Sequence, residues 1–296
     1  MISVENHQNQ PISKTKGVLN FMVKKLLSAV ILLTLFGFSA SASPLDPFKG
    51  MKGSLDIAGG TAHIPVMKQA AQNIMTFNPD IRITVAGGGS GVGVQQVGEG
   101  IAHIGNTGRP LKPEEMEKYG LVTHPFAIDG VAVAVHPSNP VKALTSAQVA
   151  DIYSGKITDW SEVGGTPGAI NVFGREDGSG TRDNFTEKVL GKQTIASSVN
   201  VVSSNGAMKT ALSRDVRGIG YVGIGYLDDS VAGVTLDGVE PTQENAAKGT
   251  YSVVRYLYMN TKGQPEGLTA AFIDYIYSPE GQKIIEEDGY IPLPRK

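Results

Sequence analysis

Four times along this chain, glycine and hydroxyl residues stand directly ahead of a helical pattern, three times at the end of a short apolar run. Leu55-Asp56-Ile57 leads into Gly59-Gly60-Thr61, and Met67, Ala70, Ala71, Ile74 and Met75 follow at three- and four-residue spacing. Ile81, Ile83 and Val85 alternate ahead of Gly87-Gly88-Gly89-Ser90-Gly91, with Val94, Val97 and Ile101 beyond. Val172-Phe173 enters Gly174-Arg175-Glu176-Asp177-Gly178-Ser179-Gly180-Thr181, which opens a pattern with Phe185, Val189 and Leu190 on one side. A fourth turn, Ser203-Ser204-Asn205-Gly206, precedes Met208, Ala211 and Leu212. Strands alternating with helices in this way specify an α/β fold. Open α/β sheets hold ligands at the carboxyl ends of their strands, which is where these turns fall.

The first N–H groups of a helix have no partner inside it and carry partial positive charge, so glycines that let a ligand approach and hydroxyls that donate to it make each turn an anion cradle. A single such turn is ordinarily an N-cap and nothing more. Three of them, with Arg175 inside one, point to a bound anion whose oxygens the planar guanidinium can take two at a time. A hydrogen bond to a charged group contributes roughly 1.5–3 kcal/mol net, and micromolar affinity needs only ~8 kcal/mol. Three cradles and one guanidinium therefore suffice without a metal or any other cofactor. Lys and Arg total 26 against 28 Asp and Glu, so the basic stripe that neutralises a nucleic acid backbone is missing.

The amino-terminal region is read as a processing signal. Lys24-Lys25, an apolar run over residues 26–38 and Ala40-Ser41-Ala42 supply the basic, hydrophobic and small-residue parts of a secretory leader, with cleavage expected before Ser43 and either Met1 or Met22 as the start. The apolar run falls short of the ~20 residues a membrane span needs. The chain contains no cysteine, which excludes disulfides, thiolate catalysis and a lipidated cysteine anchor. Loss of residues 1–42 removes four basic residues and one acid, leaving a net charge of about −5. Long-range attraction cannot then explain anion binding; local dipoles must. Residues 131–135 form a long apolar strand closed by His136-Pro137-Ser138-Asn139-Pro140, a boundary rich in turn formers, and residues 253–259 form another that returns the chain to its first unit. Expected units are 43–131 with 254–296, and 132–253.

Other chemistries lack their residues. The glycine-rich turns carry neither a G-x-G-x-x-G nor a P-loop spacing. Gly89-Ser90-Gly91 fails as a nucleophile elbow because Val92 stands where the last glycine belongs. His63, His103, His124 and His136 show no metal-ligand spacing. His63 can line a pocket beside Thr61, but first-turn packing is its expected role, and Trp160 is expected in a core. No enzyme activity is expected.

In this order, the turns just described, Ile104-Gly105-Asn106-Thr107-Gly108-Arg109-Pro110-Leu111, Asp129-Gly130-Val131-Ala132-Val133, residues 152–160 and Arg175-Glu176-Asp177-Gly178-Ser179-Gly180-Thr181-Arg182 resemble the phosphate-specific substrate-binding proteins of bacterial ABC transporters. The likeness runs from about Gly53 to the carboxyl end, and the 175–181 segment is its most specific part. It implies a two-lobed periplasmic-binding-protein fold of type II character, with two crossing strands as hinge and the ligand between the lobes. It implies a periplasmic monomer that binds inorganic phosphate and delivers it to inner-membrane permease subunits. Thr61, Ala62 (through its backbone), Ser90, Arg175, Ser179, Gly180 and Thr181 would hold the ligand, with Thr107, Arg109 and Asp177 as further candidates.

One departure bears on selectivity. Some relatives place an aspartate in the loop after the third strand, where it accepts the proton of hydrogen phosphate; the aligned residue here is Gly108. Such an acceptor repels fully deprotonated sulfate. Asp177 or Asp129 could supply it instead, although Asp177 is equally suited to orienting Arg175, and Asp129 to the hinge. Sulfate or molybdate binding, and an extracellular phosphatase or adhesin on the same scaffold, are the alternative readings.

Overall fold

The structure, a computed structural model, describes residues 43–295; the leader and start-site readings lie outside them. In chain order the strands are β1 (Gly53–Gly59), β2 (Ile81–Gly88), β3 (Ile104–Thr107), β4 (Leu121–Val135), β5 (Ala143–Leu144), β6 (Asn171–Arg175), β7 (Asn200–Val202), β8 (Gly218–Gly223), β9 (Ala232–Gly233), β10 (Thr235–Leu236), β11 (Val254–Lys262) and β12 (Ile291–Pro292). The helices are α1 (Ile64–Phe77), α2 (Gly89–Gly98), α3 (Pro113–Tyr119), α4 (Ser146–Tyr153), α5 (Gly180–Phe185), α6 (Asn205–Leu212), α7 (Gln243–Ala247), α8 (Gly267–Tyr277) and α9 (Pro279–Glu287). No helix among the described residues is long and apolar enough to cross a membrane.

The main sheet runs β2-β1-β3-β11-β4-β8-β6-β7. β1 lies parallel to β2 and β3, β11 runs antiparallel to β3 and β4, and β6 lies parallel to β7 and β8. Two hydrophobic cores flank the middle of this sheet. Leu55 and Ile57 of β1, Met67 and Ile74 of α1, Phe272 of α8 and Ile285 of α9 fill the first; Val149 and Tyr153 of α4, Trp160, Phe185, Ile219 and Tyr221 fill the second. Each fully buried side chain of this size contributes about 1.5–3 kcal/mol, so each lobe has its own source of stability.

Two stretches of chain pass between the cores. β4 contributes Phe126 and Ala127 to the first and Val131, Val133 and Val135 to the second; Leu257 and Met259 of β11 belong to the first and Val253, just ahead of it, to the second. Strand β4 is far longer than its apolar 131–135 portion suggests, and its partner changes within it: Gly130 pairs with Val254, whereas Val131 pairs with Gly223. A Cβ on Gly130 would overlap the end of the Ile224 side chain, so glycine lets Ile224 pack against the strand where it passes between partners. The two stretches are tied by Val131 N donating to Val253 O at 2.8 Å and Tyr251 Oη to Val131 O at 2.9 Å.

Helix starts follow local chemistry: Thr145 caps α4, Ser179 caps α5, Ser204 caps α6 and Ser278 caps α9, with Pro279 at its first position. Ile101, expected on the face of the second helix, lies beyond its end and is exposed. Gly98 and Gly100 account for this: a Cβ on the former would strike the Tyr119 ring, and the latter holds φ +75°. Gly218-Ile219-Gly220-Tyr221-Val222-Gly223 spells G-x-G-x-x-G but is the buried strand β8, not a phosphate turn. Trp160 is buried as expected, its Nε1 donating to Arg217 O at 3.0 Å.

Candidate functional site

Three of the four glycine and hydroxyl turns converge on one small cleft, with about 190 Å³ of atom-free space counting its opening to solvent. The turn after β1 contributes Gly60, Thr61, Ala62 and His63; the turn after β2 contributes Gly89 and Ser90; Arg175, Ser179, Gly180 and Thr181 face them from the end of β6 and the start of α5. Gly108, after β3, and Arg255, on β11, complete the wall. Thr61, Ser90, Arg175, Ser179 and Thr181 are all buried.

The lobes meet closely here. Gly91 N donates to Gly178 O at 3.0 Å, and Tyr226 Oη to Thr61 O at 2.8 Å. A Cβ on Gly180 would overlap Ser90 Oγ and stand 3.1 Å from Gly108 C, so only glycine allows the two turns this approach.

Each hydroxyl of the cavity already accepts a hydrogen bond from the protein. Thr61 Oγ1 accepts from Asn205 N at 3.3 Å and Asn205 Nδ2 at 3.1 Å, Ser90 Oγ from Gly108 N at 3.0 Å, Ser179 Oγ from Arg182 N at 3.3 Å, and Thr181 Oγ1 from Arg255 Nη1 at 2.8 Å. A hydroxyl has one hydrogen and two lone pairs; with lone pairs so engaged, the hydrogens are left for a ligand. The leading N–H groups of α5 add backbone donors.

Arg175 is 1% exposed. Its Nε and Nη2 donate to Glu176 Oε2 and Oε1 at 2.9 and 2.8 Å, while Nη1 is buried without a partner. The carboxylate grips one edge of the fork and leaves an N–H edge free. Arg255 is the second guanidinium: Nε and Nη2 donate to Asp129 Oδ2 at 3.0 and 2.7 Å. Burial pushes the Asp129 carboxyl up, and the Arg255 charge opposes that shift. His63 is fully buried, its ring 5.5 Å from that of Phe126, and neither ring nitrogen has a hydrogen-bond partner. Desolvation, reinforced by the Arg255 charge, brings its pKa down to about 3, so the imidazole is neutral at ordinary pH.

Thr61, Ala62, Ser90, Arg175, Ser179, Gly180 and Thr181 thus share one cavity; the further candidates do not. Asp177 pairs with Arg182 Nη1 at 2.8 Å and its side chain is 95% exposed, so Glu176, its neighbour, orients Arg175 in its place. Thr107 Oγ1 donates to Arg109 O at 2.9 Å and accepts from Asn260 Nδ2 at 3.1 Å, away from the cavity wall. Arg109 is taken up by Glu115 and Asp183, at 2.7 and 3.1 Å. Asp129 acts on the cavity only through Arg255, and the fourth turn reaches it only through Asn205 on Thr61. Arg255 escaped the sequence reading, although a signal existed: it falls on the buried parity of β11 with Leu257 and Met259, where an unpaired arginine would be untenable. Among the described residues no cluster of metal-ligating side chains occurs.

A cavity lined by donors and closed between two α/β lobes defines a substrate-binding protein of the periplasmic-binding-protein class. Residues 48–280 match the PBP superfamily domain. The phosphate-binding protein PstS of Bacillus subtilis is 37% identical over 92% of this chain and 95% of its own length, and that of Pseudomonas aeruginosa PAO1 is 31% identical over 93% and 96%. A crystal structure from Clostridium perfringens, assigned as a phosphate ABC transporter substrate-binding protein and containing bound phosphate, is 39% identical with a TM-score of 0.77, covering 81% of this chain and 100% of its own. The chain belongs to this family, the phosphate-binding substrate-binding proteins of ABC transporters.

Proposed function

We propose that the protein binds one inorganic phosphate between its lobes and delivers it to the permease of an ABC transporter. The observation that carries this reading is the free Nη1 edge of Arg175, buried in a cavity where four hydroxyls have their hydrogens to spare. The names of the relatives and the phosphate bound in the C. perfringens structure support it.

In this reading Thr61, the Ala62 backbone and Ser90 hold the anion from one side, and Arg175, Ser179, Gly180 and Thr181 from the other. The lobes comprise residues 43–131 with 254–296, and 132–253, and the β4 and β11 crossings act as hinge. Closure around the ligand makes the form that a permease recognises. In this reading the protein works as a monomer outside the cytoplasmic membrane. Its relatives are named as binding proteins of transport systems, and the reading assigns it no catalytic role.

Titration calorimetry of the protein with inorganic phosphate tests the reading. One-to-one binding at micromolar affinity or tighter is expected, and absence of heat across the micromolar to millimolar range refutes it. Incubation with p-nitrophenyl phosphate should release no nitrophenol.

A further inference from the structure

We propose that the imidazole of His63 accepts the proton of hydrogen phosphate in this cavity, and is thereby the residue that tells phosphate from sulfate. The inference rests on the phosphate reading above and deepens it. Hydrogen phosphate carries one O–H and sulfate carries none, so a buried site that favours phosphate must offer an acceptor to that hydrogen. An O–H left unpaired out of water weakens binding by about tenfold or more.

The cavity wall is otherwise short of acceptors. No carboxylate lines it. Arg175 and Arg255 can only donate. Thr61 Oγ1 has both lone pairs engaged by Asn205, and Ser90, Ser179 and Thr181 each accept one protein hydrogen bond, which leaves each a single lone pair beside the hydrogen it turns to the anion. Gly108 cannot carry an acceptor either: a Cβ there would stand 2.7 Å from Arg255 Nη1 and 3.1 Å from its Cζ, so the guanidinium occupies the space that a side chain would need.

His63 lines the same cavity, is wholly buried, and leaves both ring nitrogens unpartnered. A buried polar atom without a partner requires an explanation, and a ligand proton supplies one. A neutral imidazole offers one N–H and one lone pair. Phe126 packs beside the ring, and Gly60 leaves it room, since a Cβ there would lie 2.7 Å from Nδ1. Backbone groups of Gly60, Thr107 and Tyr258 lie near and favour the imidazolium weakly, yet none reaches hydrogen-bonding geometry with a ring nitrogen. Burial and the charge of Arg255, itself paired to Asp129, outweigh them and keep the lone pair unprotonated.

The test compares wild-type protein with His63→Leu by calorimetry at pH 8, using inorganic phosphate and sulfate, each alone and in competition. The expected result is a tenfold or greater loss of phosphate affinity with sulfate affinity unchanged or raised. Equal loss for both anions, or none for either, overturns the inference while leaving phosphate binding intact. Should His63→Leu fail to fold, ¹⁵N-histidine NMR of the wild-type protein decides. Saturating phosphate, and not sulfate, should move the unprotonated His63 nitrogen upfield; no movement, or the same movement with both, overturns the proposal. No phosphate uptake by the wild type would overturn the functional reading and this inference together.

Discussion

Gly180→Ala separates ligand binding from folding. The glycine is the first residue of α5 and is not in the left-handed region, so alanine introduces no backbone strain there and the variant should unfold no more easily than the parent. The added methyl would instead overlap Ser90 Oγ and press on Gly108 C and N at 3.1 and 3.2 Å. Those neighbours belong to the opposite wall of the cavity, so under the proposed hinge closure they would approach Gly180 only in the closed form. Ser90 cannot swing aside freely, because its Oγ accepts from Gly108 N at 3.0 Å. Overpacking of one methyl costs about 1–3 kcal/mol, and here the cost falls on the closed form alone. Phosphate affinity should therefore fall about 5- to 150-fold, with the unliganded melting temperature unchanged or slightly raised. Calorimetry and thermal unfolding of the same preparation measure both. Unaltered affinity would refute the claim that Gly180 packs against the opposite lobe in the bound state, and a large drop in unliganded stability would show that the methyl harms the fold rather than closure.

Three further expectations follow from the same geometry. Arg175→Ala should weaken phosphate binding at least tenfold by removing the free Nη1 edge and stranding the Glu176 carboxylate; unchanged affinity in calorimetry would remove Arg175 from the site. Thr181→Val should weaken binding more than Asp183→Ala, because Thr181 lines the cavity while Asp183 faces Arg109 at 3.1 Å; the reverse ranking would contradict the placement. Stability should also fall in acid through His63. Burial, then the Arg255 charge, lowers its pKa from 6.5 to about 3 on folding. The unfolded chain alone therefore takes up this proton between those values, and stability declines as pH drops from 6.5 towards 3, by at most ~1.4 kcal/mol per pH unit for one proton. Urea unfolding of His63→Gln should show a shallower loss over that range than wild type, and parallel curves would disprove the buried neutral imidazole.

What could be read from residue order was the local part. Thr61, Ser90, Ser179 and Arg175 stood out because a turn into a helix start is specified by its own few residues. In sequence Asp177 is a candidate for orienting Arg175, but adjacent acids in a turn differ only in which way the backbone aims them: Glu176 grips Arg175 and Asp177 is solvated. Arg255 and His63 owe their places to distant partners. Arg255 meets Asp129 across 126 positions of chain, through the pairing of β11 with β4, and burial, then that guanidinium, keep His63 neutral well into the acid range. Likewise the exchange of partners inside β4 depends on which strands lie on either side, which no alternation within the strand encodes.

The charge arrangement bears on how affinity responds to salt. Arg175 is matched by Glu176 and Arg255 by Asp129, and His63 is uncharged, so the cavity presents hydrogen-bond donors and little net field. The molecule around it is acidic once residues 1–42 are discounted. An anion is therefore neither steered from afar nor held by bare charge; what holds it is a set of short, buried contacts that ions in solution cannot screen, because screening acts on exposed charges beyond about 10 Å at 0.1 M salt. Raising sodium chloride from 20 mM to 500 mM should then alter the phosphate dissociation constant by no more than about threefold. A binding surface of exposed lysines would lose far more over that range. A tenfold or larger loss in calorimetry would show that long-range attraction, and not the converging dipoles beside Arg175, supplies the affinity.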